Sequence, residues 1–420
     1  SRRQRQMCIR DRERVKDYAT ADFTKQGKFV MFNSVYKDED NKTVLCAERI
    51  TSDHLQKTEA LAKANPVDIY VERCVAKVRV KIAESVGFTE GGLLALKDKE
   101  GVNLTVQGKQ VYLKLSDWSL TAETDKSRLV KKVDFDWDAS NNGTHRSFWA
   151  MNAASAKNRY YDYSGIDTKF GEDKSKYTNE NAADFRIGAT STNLNRTKVI
   201  LKGTLCDENG TALTLVRHLG AHFIDTYSEN MASNMPALKA NILSQLAANG
   251  HNYYYETTVD GKTARKQIET NDLQIVPAAQ QPAEGSKNNC YVYAQLTGDA
   301  EKKTWYDSLD ESAEPIAFSV INNALKNKEV VDWPLVWKDG MTYYFYEIIH
   351  SGTGENATKG VVRNHIYDTT ITKIAGFGTP VYDPTLTIYP EKPVPNDHYV
   401  AASIKILSWR VVSNNYVLEW

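Results

Sequence analysis

The chain has 420 residues, with 53 basic and 53 acidic side chains, so its formal net charge is zero. This balance argues against a nucleic acid or a charged membrane surface as an electrostatic partner. No stretch approaches the roughly 20 apolar residues that cross a bilayer as a helix. The 23 tyrosines and 8 tryptophans favour β-structure, and the length is typical of two or three globular domains.

The amino-terminal part of the chain has too few predicted strands and helices to form a complete domain. Residues 1–12 are basic and have no apolar periodicity, so we interpret them as a non-native leader. Residues 13–66 predict a strand at Phe29–Ser34 and a polar helix at Ser52–Ala64, which together cannot bury a core. We therefore interpret 13–66 as the remnant of an amino-terminal domain that begins upstream.

Pro66 marks a boundary, and residues 67–379 predict a carboxyl-terminal β-sandwich domain. Closely spaced strands separated by Gly, Asn and Asp turns are typical of antiparallel sandwiches. A further helix is predicted at Pro236–Ala248. The predicted fold class is thus all-β, with antiparallel β-sandwich domains and a few short helices. The strands are predicted at Val67–Ala83, Val111–Trp118, Val130–Trp137, Thr197–Leu205, Thr211–Val216, Cys290–Gln295 and Val361–Ile374.

Residues 380–397 predict a proline-rich tether. Five prolines lie close together there, at Pro380, Pro384, Pro390, Pro393 and Pro395. Proline fixes φ and removes an amide donor, so such a segment stays extended. At about 3.1 Å per residue, some fifteen residues would span on the order of 45 Å. The tether is therefore expected to act as a spacer.

Residues 398–420 predict a last strand whose apolar face changes part-way along. The change lies between Ile406 and Leu407, and it predicts a bulge, a kink or a change of partner sheet. The strand either completes its own sandwich or is donated to a neighbouring subunit. The apolar positions are Val400, Ala402, Ile404 and Ile406, followed by Leu407, Trp409 and Val411.

Several sequence blocks follow one another along the chain together with the turn Gly-x-Gly-Thr-Pro at 376–380. These blocks are Val71–Val78, Leu115–Thr121, Tyr177–Asn181, Trp337–Tyr344, Val361–Asp368 and Ile406–Val412. In this order they resemble bacterial fimbrillins of the type V pili, more specifically the shaft subunits of minor fimbriae, and the resemblance covers roughly residues 25–420.

The resemblance implies a structural subunit, not an enzyme, with transthyretin-like sandwiches. It implies a fimbria at the bacterial outer-membrane surface that supports adhesion and grows by donor-strand exchange. An arginine-specific protease would remove the first strand of the amino-terminal domain and open a groove for the neighbour's terminal strand. Partners would be other copies, accessory fimbrial subunits and surface receptors. The residues expected to carry polymerisation are the apolar positions from Val400 to Val411 given above.

Motifs for catalysis, metals and cofactors are incomplete, and no such site is predicted. His218 and His222 have the spacing of helical zinc ligands but lack the companion glutamate. Asp134, Asp136 and Asp138 imitate half of a calcium loop without its glycine and closing glutamate. The five cysteines are far apart, so free thiols are expected; they are Cys8, Cys46, Cys74, Cys206 and Cys290.

Two other functions remain open from the residues alone. A glycan-binding adhesin would use loop aromatics, although such residues more often cap the end of a sandwich; these are Phe148, Trp149, Tyr160, Tyr161 and Tyr163. A glycoside hydrolase or metallohydrolase would need carboxylates or a metal cluster that converge in space. Within the fimbrial system, a tip or accessory position is an alternative to the shaft.

Overall fold

The computed structural model of the chain describes residues 30–33, 35–37, 43–45, 52, 55, 57–64, 71–127, 152, 156–171, 173–181, 195–230, 234–351, 358–390 and 399–408. For residues 399–408, as for some residues of other elements, it describes the backbone alone.

Strands dominate the described residues, as the composition predicts. The α-helices are α1 (Glu59–Ala64), α2 (Pro236–Ala248) and α3 (Phe318–Lys326). Short 3₁₀ helices lie at Glu84–Val86, Thr270–Asp272, Ala300–Lys302 and Lys338–Gly340. The strands are β1 (Met31–Asn33), β2 (Val35–Lys37), β3 (Thr43–Leu45), β4 (Val71–Arg73), β5 (Val75–Ile82), β6 (Leu93–Ala95), β7 (Thr105–Val106), β8 (Lys109–Gln110), β9 (Tyr112–Thr121), β10 (Glu123–Thr124), β11 (Asn158–Arg159), β12 (Lys176–Asn179), β13 (Lys198–Cys206), β14 (Thr214–His218), β15 (Ala221–Asp225), β16 (Tyr254–Val259), β17 (Lys262–Gln267), β18 (Leu273–Pro277), β19 (Val292–Leu296), β20 (Trp305–Tyr306), β21 (Leu335–Trp337), β22 (Met341–Glu347), β23 (Ile349–Ser351), β24 (Thr358–Lys359), β25 (His365–Ala375), β26 (Thr379–Pro380) and β27 (Tyr399–Ser408).

Two sheets pack face to face around the main core. The first sheet has the order β12-β5-β25-β27, and the second has the order β26-β22-β13-β9-β6. Alternate residues of both sheets meet between them, as they do in a sandwich. The buried set includes Val78 and Val80 of the first sheet with Trp118, Leu201 and Tyr344 of the second. The expected all-β sandwich is confirmed, with one difference: β25 pairs with β5 in parallel.

A long insertion separates two strands that are neighbours in the second sheet. β13 and β22 pair directly in antiparallel register, yet residues 207–340 lie between them in sequence. The insertion carries α2, α3 and the small sheets β15-β14-β21, β17-β16-β20 and β18-β19. It has a second hydrophobic core, which includes Leu238, Ile242, Trp305 and Leu325. The sequence predicts one sandwich over residues 67–379 and does not separate this second core.

Helix α2 spans the residues predicted for it. Pro236 opens the helix, where a missing amide costs nothing. Its buried residues Leu238, Ile242 and Leu246 recur every four positions and form one stripe. The carboxylate of Asp225 accepts hydrogen bonds from the amides of Ala237 and Leu238 at 3.3 and 2.8 Å, which caps the amino-terminal end. Of the helices that the structure describes, none is long and apolar enough to cross a membrane.

A glycine turn carries the chain from the first sheet to the second, after β25 and before β26. Gly376 and Gly378 have φ of 76° and 72°, which favours glycine. A Cβ on Gly378 would meet Oγ1 of Thr342 and the carbonyl of Tyr343. The turn is held by Tyr344, whose hydroxyl donates to the carbonyl of Gly376 at 2.7 Å.

The first half of the predicted tether is packed onto the protein. Val381 and Ile388 are buried against the outer face of the second sheet, beside Ile200 and Tyr343. The amide of Ile388 donates to the carbonyl of Tyr161 at 2.9 Å, and the Tyr382 hydroxyl donates to the carbonyl of Ile275 at 2.9 Å. We call residues 381–390 the docked segment. This differs from a spacer that begins at Pro380; residues 391–398, including Pro393 and Pro395, lie outside the described residues.

Candidate functional site

The candidate site is the edge of the first sheet, where the terminal strand β27 lies against β25. The two strands pair antiparallel from His365 opposite Ser408 to Ala375 opposite Tyr399. β27 is the last strand in the order of that sheet. Within the part of the chain that the structure describes, its outer edge therefore carries no strand. The terminal strand thus has a place on its own subunit and is held along one edge.

The register aligns β27 with the core-facing positions of β25. Tyr367, Thr369 and Ile371 are fully buried, and they alternate with half-buried residues. Of the predicted polymerisation residues, four lie opposite buried positions: Ile406 opposite Tyr367, Ile404 opposite Thr369, Ala402 opposite Ile371 and Val400 opposite Ile374. Directly opposed residues share a face of a sheet. The backbone register thus places these four predicted residues on the same face of the first sheet, the face that carries the buried residues of β25.

The other predicted polymerisation residues do not join that face in the described part of the chain. Leu407 lies opposite Ile366, a half-buried position, and Trp409 and Val411 lie outside the described residues. The sequence predicted a bulge, a kink or a change of sheet between Ile406 and Leu407. The register instead runs without a shift through Leu407 to Ser408.

An irregularity lies on β25 instead. The register shifts between Ile371, which is opposite Ala402, and Lys373, which is opposite Ala401. Thr372 is therefore the extra residue of a β-bulge. After it, Ile374 is buried where an unbroken alternation would turn it outward. The bulge keeps both halves of β25 facing the core.

A buried ion pair fixes the start of β25. Nε of Arg363 lies 2.9 Å from Oε2 of Glu180, and Nη1 of Arg363 lies 3.6 Å from Sγ of Cys74. Burial alone would lower the pKa of Arg363, but the charges of Glu180, Cys74 and Glu72 raise it, so the guanidinium stays charged. Asn364 follows in the left-handed region with φ of 61°, and its amide donates to the carbonyl of Val75 at 2.8 Å. These contacts tie β25 to β5.

A buried hydrogen-bond chain continues from this point into β25. The amide of Val362 donates to the Tyr367 hydroxyl at 2.7 Å, and that hydroxyl lies 2.9 Å from Nδ1 of His350. Nδ1 of His365 lies 2.7 Å from the carbonyl of Arg363 and therefore carries the hydrogen. Burial raises the pKa of Tyr367 far above its usual value.

On the other face of β25, an ion pair reinforces the parallel pairing. Asp368 lies opposite Arg79 of β5, and Nη2 of Arg79 is 3.1 Å from Oδ2 of Asp368. In the antiparallel direction, Lys405 occupies the position opposite Asp368. A basic residue thus stands in register with Asp368 on both neighbouring strands. Such an arrangement favours this register over a slipped one.

The two histidines with metal-ligand spacing lie in a β-hairpin and not on a helix. His218 pairs with Ala221 and His222 pairs with Arg217 across the β14–β15 turn, so the histidines lie on opposite faces. Nε2 of His218 lies 3.1 Å from the carbonyl of Asp332, and the His222 ring packs 5.1 Å from that of Phe377. Among the described residues, no group of His, Cys, Asp and Glu side chains is arranged to hold a metal ion. Asp134, Asp136 and Asp138 lie outside the described residues.

The described members of the loop aromatics serve the fold. The Tyr163 hydroxyl donates to the carbonyl of Gly203 at 2.7 Å, and that of Tyr161 donates to Oε2 of Glu123 at 3.0 Å. The Tyr160 ring lies 4.5 Å from that of Tyr389 in the docked segment. Tyr163 packs on the outer face of the second sheet, and Tyr160 and Tyr161 contact the docked segment. Phe148 and Trp149 are outside the described residues.

The polar groups that organise this site were not predicted from the sequence. Arg363 and His365 lie in the block Val361–Asp368, which carries part of the family resemblance, and Glu180 lies about 180 positions earlier in the chain. Cys74 and Cys206 are buried, and Cys290 is half-buried. Cys8 and Cys46 lie outside the described residues. A run of polar residues inside an otherwise apolar strand pattern, such as Arg363-Asn364-His365, was the available signal.

Comparison with known proteins finds one family over the region that contains this site. Residues 336–415 match the family described as "Major fimbrial subunit protein type IV, Fimbrillin, C-terminal". The matched range contains β22, β25, the docked segment and β27. A search of the curated proteins found no match.

Proposed function

We propose that this chain, a fimbrial subunit of the fimbrillin family, is a shaft subunit that polymerises by giving its terminal strand to a neighbouring copy. The fimbrillin family consists of structural subunits of extracellular pili, and the proposal concerns how this member joins its neighbours. The fibre would stand at the bacterial outer-membrane surface and support adhesion.

The observation that carries the proposal is the position of β27. The strand is paired along one edge, at the end of a four-stranded sheet. It is joined to the docked segment by residues 391–398, a short stretch that includes Pro393 and Pro395. Strand addition gains affinity from backbone hydrogen bonds and specificity from alternate side chains. The expected specificity residues are the predicted series Val400, Ala402, Ile404, Ile406, Leu407, Trp409 and Val411.

The docked segment fixes the position of Pro390, from which residues 391–398 lead to β27. Its contacts with Tyr161, Tyr163 and Ile275 hold the chain as far as Pro390. Eight residues then separate Pro390 from Tyr399, and at about 3.1 Å per residue they reach roughly 25 Å. A strand released from β25 would therefore remain close to its own subunit and meet only an adjacent copy.

The glycan-binding alternative receives no support from the described aromatics. Tyr161 and Tyr163 use their hydroxyls inside the protein, and Tyr160 packs on Tyr389. A sugar-binding platform needs an open aromatic face. We therefore keep the structural role as the single proposed function.

A gel of unboiled samples tests the proposal. The chain is incubated with and without prior digestion by an arginine-specific protease, and SDS-resistant ladders are scored. We expect ladders from the full chain and none from a chain that lacks Tyr399–Trp420. A chain that lacks residues 1–12 is the matched control and should still form ladders. Ladders from the chain without Tyr399–Trp420 would reject the proposal.

A further inference from the structure

We infer that the insertion 207–340 carries a contact between copies of this chain, in which an acidic loop of one copy binds a surface of lysines and aromatic rings on the next. The acidic loop is residues 307–314. The lysine–aromatic surface is made of Tyr291, Tyr293, Trp333, Lys326 and Lys328. This contact uses neither the terminal strand nor the first sheet, so it would exist in addition to the proposed strand donation.

The acidic loop carries an excess of exposed negative charge. Its four carboxylates are all exposed; they belong to Asp307, Asp310, Glu311 and Glu314. Among the described residues, none of the four forms an ion pair with a basic side chain. Arg265, which lies close to Asp310, offsets one of the four charges. The loop therefore presents a net negative surface to solvent.

The acidic loop is held in one conformation by Arg265 of β17. Its Nη1 donates to the carbonyl of Ser308 at 2.9 Å and also to the carbonyl of Asp310, and its Nη2 donates to the carbonyl of Ala313 at 3.2 Å. The guanidinium itself lies 3.6 Å from the centre of the Tyr306 ring. Because the loop is already ordered, binding through it costs little conformational entropy.

Exposed apolar side chains lie in and next to the acidic loop. Leu309 is 60% exposed, Phe318 40% and Val320 46%. Three of the nine exposed large apolar side chains in the described part of the chain thus fall between positions 309 and 320. Interfaces between proteins combine apolar contacts with a polar rim. This end of the insertion has both components.

The lysine–aromatic surface lies at the other end of α3. The rings of Tyr293 and Trp333 stack with their centres 5.7 Å apart. Nζ of Lys328 lies 4.2 Å from the centre of the Trp333 ring and 4.9 Å from that of Tyr291. Nζ of Lys326 lies 5.6 Å from the centre of the Tyr293 ring. Cation–π attraction therefore places both ammonium groups over aromatic rings.

The positive charge of this surface is not neutralised within the described part of the chain. Lys326 and Lys328 are exposed, and neither forms an ion pair with a described carboxylate, including that of the neighbouring Glu329. Nζ of Lys328 donates instead to the neutral Oδ1 of Asn288 at 2.9 Å. The adjacent Lys287 is also exposed and basic. The surface is thus complementary in charge to the acidic loop.

The two surfaces cannot satisfy each other within one copy. The acidic loop precedes α3, and Lys326 is the last residue of that helix. Nine helical residues at 1.5 Å each separate them by about 13 Å along the axis, well beyond the distance of an ion pair. The complement of each surface must therefore come from a second copy. Such a contact joins two different surfaces, so it is head-to-tail and can repeat along a fibre.

Charge reversal tests this pairing with full chains that have not been digested. Association is measured by sedimentation at an ionic strength of about 0.01 M and again at about 1 M, where the screening length falls from about 30 Å to about 3 Å. We expect the unmodified chain to associate at low salt only. Both Lys326→Glu/Lys328→Glu and Glu311→Lys/Glu314→Lys should weaken association about ten-fold or more, because like charges then face each other.

The decisive sample is an equal mixture of these two variants. Each reversed surface meets an opposite charge on the other variant, so the mixture should regain the association that each variant lacks alone. Recovery also shows that both variants are folded. The matched control Lys109→Glu/Lys157→Glu makes the same change of charge at exposed lysines outside the insertion and should associate like the unmodified chain.

Four results would overturn the inference. They are no salt-sensitive association of the unmodified chain, no recovery in the mixture, an effect of only one of the two reversals, and an equal loss in the control. The last two would assign the association to other partners of the lysines or to net charge. SDS-resistant ladders report strand donation separately: their absence with the salt-sensitive contact intact would reject the proposed function alone.

Discussion

Arg363 and Glu180 form an ion pair at 2.9 Å, with 1% and 4% of their side chains exposed. The pair joins the turn before β25 to the residue that follows β12. It thereby holds the start of β25 to the end of β12, across the first sheet.

Removing one member of this pair should strongly destabilise the protein. Arg363→Met leaves the Glu180 carboxylate buried without its partner, and we expect a loss of about 3–5 kcal/mol in the free energy of unfolding. The double variant Arg363→Met/Glu180→Leu should recover much of it, because no buried charge is left uncompensated. Urea denaturation measures both values.

The control for that experiment is the partly exposed pair between Arg79 and Asp368, whose side chains are 23% and 16% exposed. Arg79→Met should cost no more than about 1 kcal/mol. An equal loss for Arg79→Met and Arg363→Met would show that burial does not set the strength of these pairs.

The glycine turn between the sheets should tolerate no side chain at Gly378. A Cβ there meets Thr342 and Tyr343, and φ of 72° is unfavourable for other residues. We expect Gly378→Ala to lower the free energy of unfolding by more than about 2 kcal/mol. Gly261→Ala is the matched control, because φ is 74° there but nothing lies within 4 Å of the added methyl group. It should show only the strain of the backbone, about 1 kcal/mol. Similar losses for both variants would contradict the crowding at Gly378.

Acid should destabilise the protein partly through His218. Burial lowers the pKa of this histidine in the folded state. Below a pH of about 6.5 the unfolded chain binds a proton at this residue which the folded chain does not. The free energy of unfolding should therefore fall as the pH drops from neutral towards 5, by up to about 1.4 kcal/mol per pH unit from this group.

The measurement is a series of urea unfolding curves between pH 8 and pH 5. His218→Gln should flatten the dependence, and His222→Gln from the same hairpin should keep it. A slope that is unchanged in His218→Gln would assign the acid sensitivity to other groups.

Local patterns in the sequence predicted local structure well. The helix at Pro236–Ala248 follows from a proline at its start and an apolar stripe, and the observed α2 has the same bounds. The strand pattern around Ile371 likewise predicts β25. In both cases neighbours within one element carry the information. The helix Phe318–Lys326 was not predicted, although its buried residues Ile321, Ala324 and Leu325 have the i, i+3, i+4 spacing of a helix, and it is only nine residues long.

Long-range pairing could not be predicted in the same way. β13 pairs directly with β22 although residues 207–340 lie between them in sequence. The residue pattern of neither strand indicates which strand it pairs with. The parallel pairing of β5 with β25 could not be predicted from the sequence either. The prolines in 380–390 predicted an extended backbone. They did not predict that Val381 and Ile388 are buried against the outer face of the second sheet.

The most direct test of strand donation is the length of the ladders when full-length chains are mixed with chains that lack Tyr399–Trp420. A truncated copy can accept a strand but cannot donate one, so it should end a growing fibre, and the mean ladder length should fall steadily as its fraction rises. If the truncated copies leave the ladder length unchanged, or extend the fibres themselves, the terminal strand does not link the subunits.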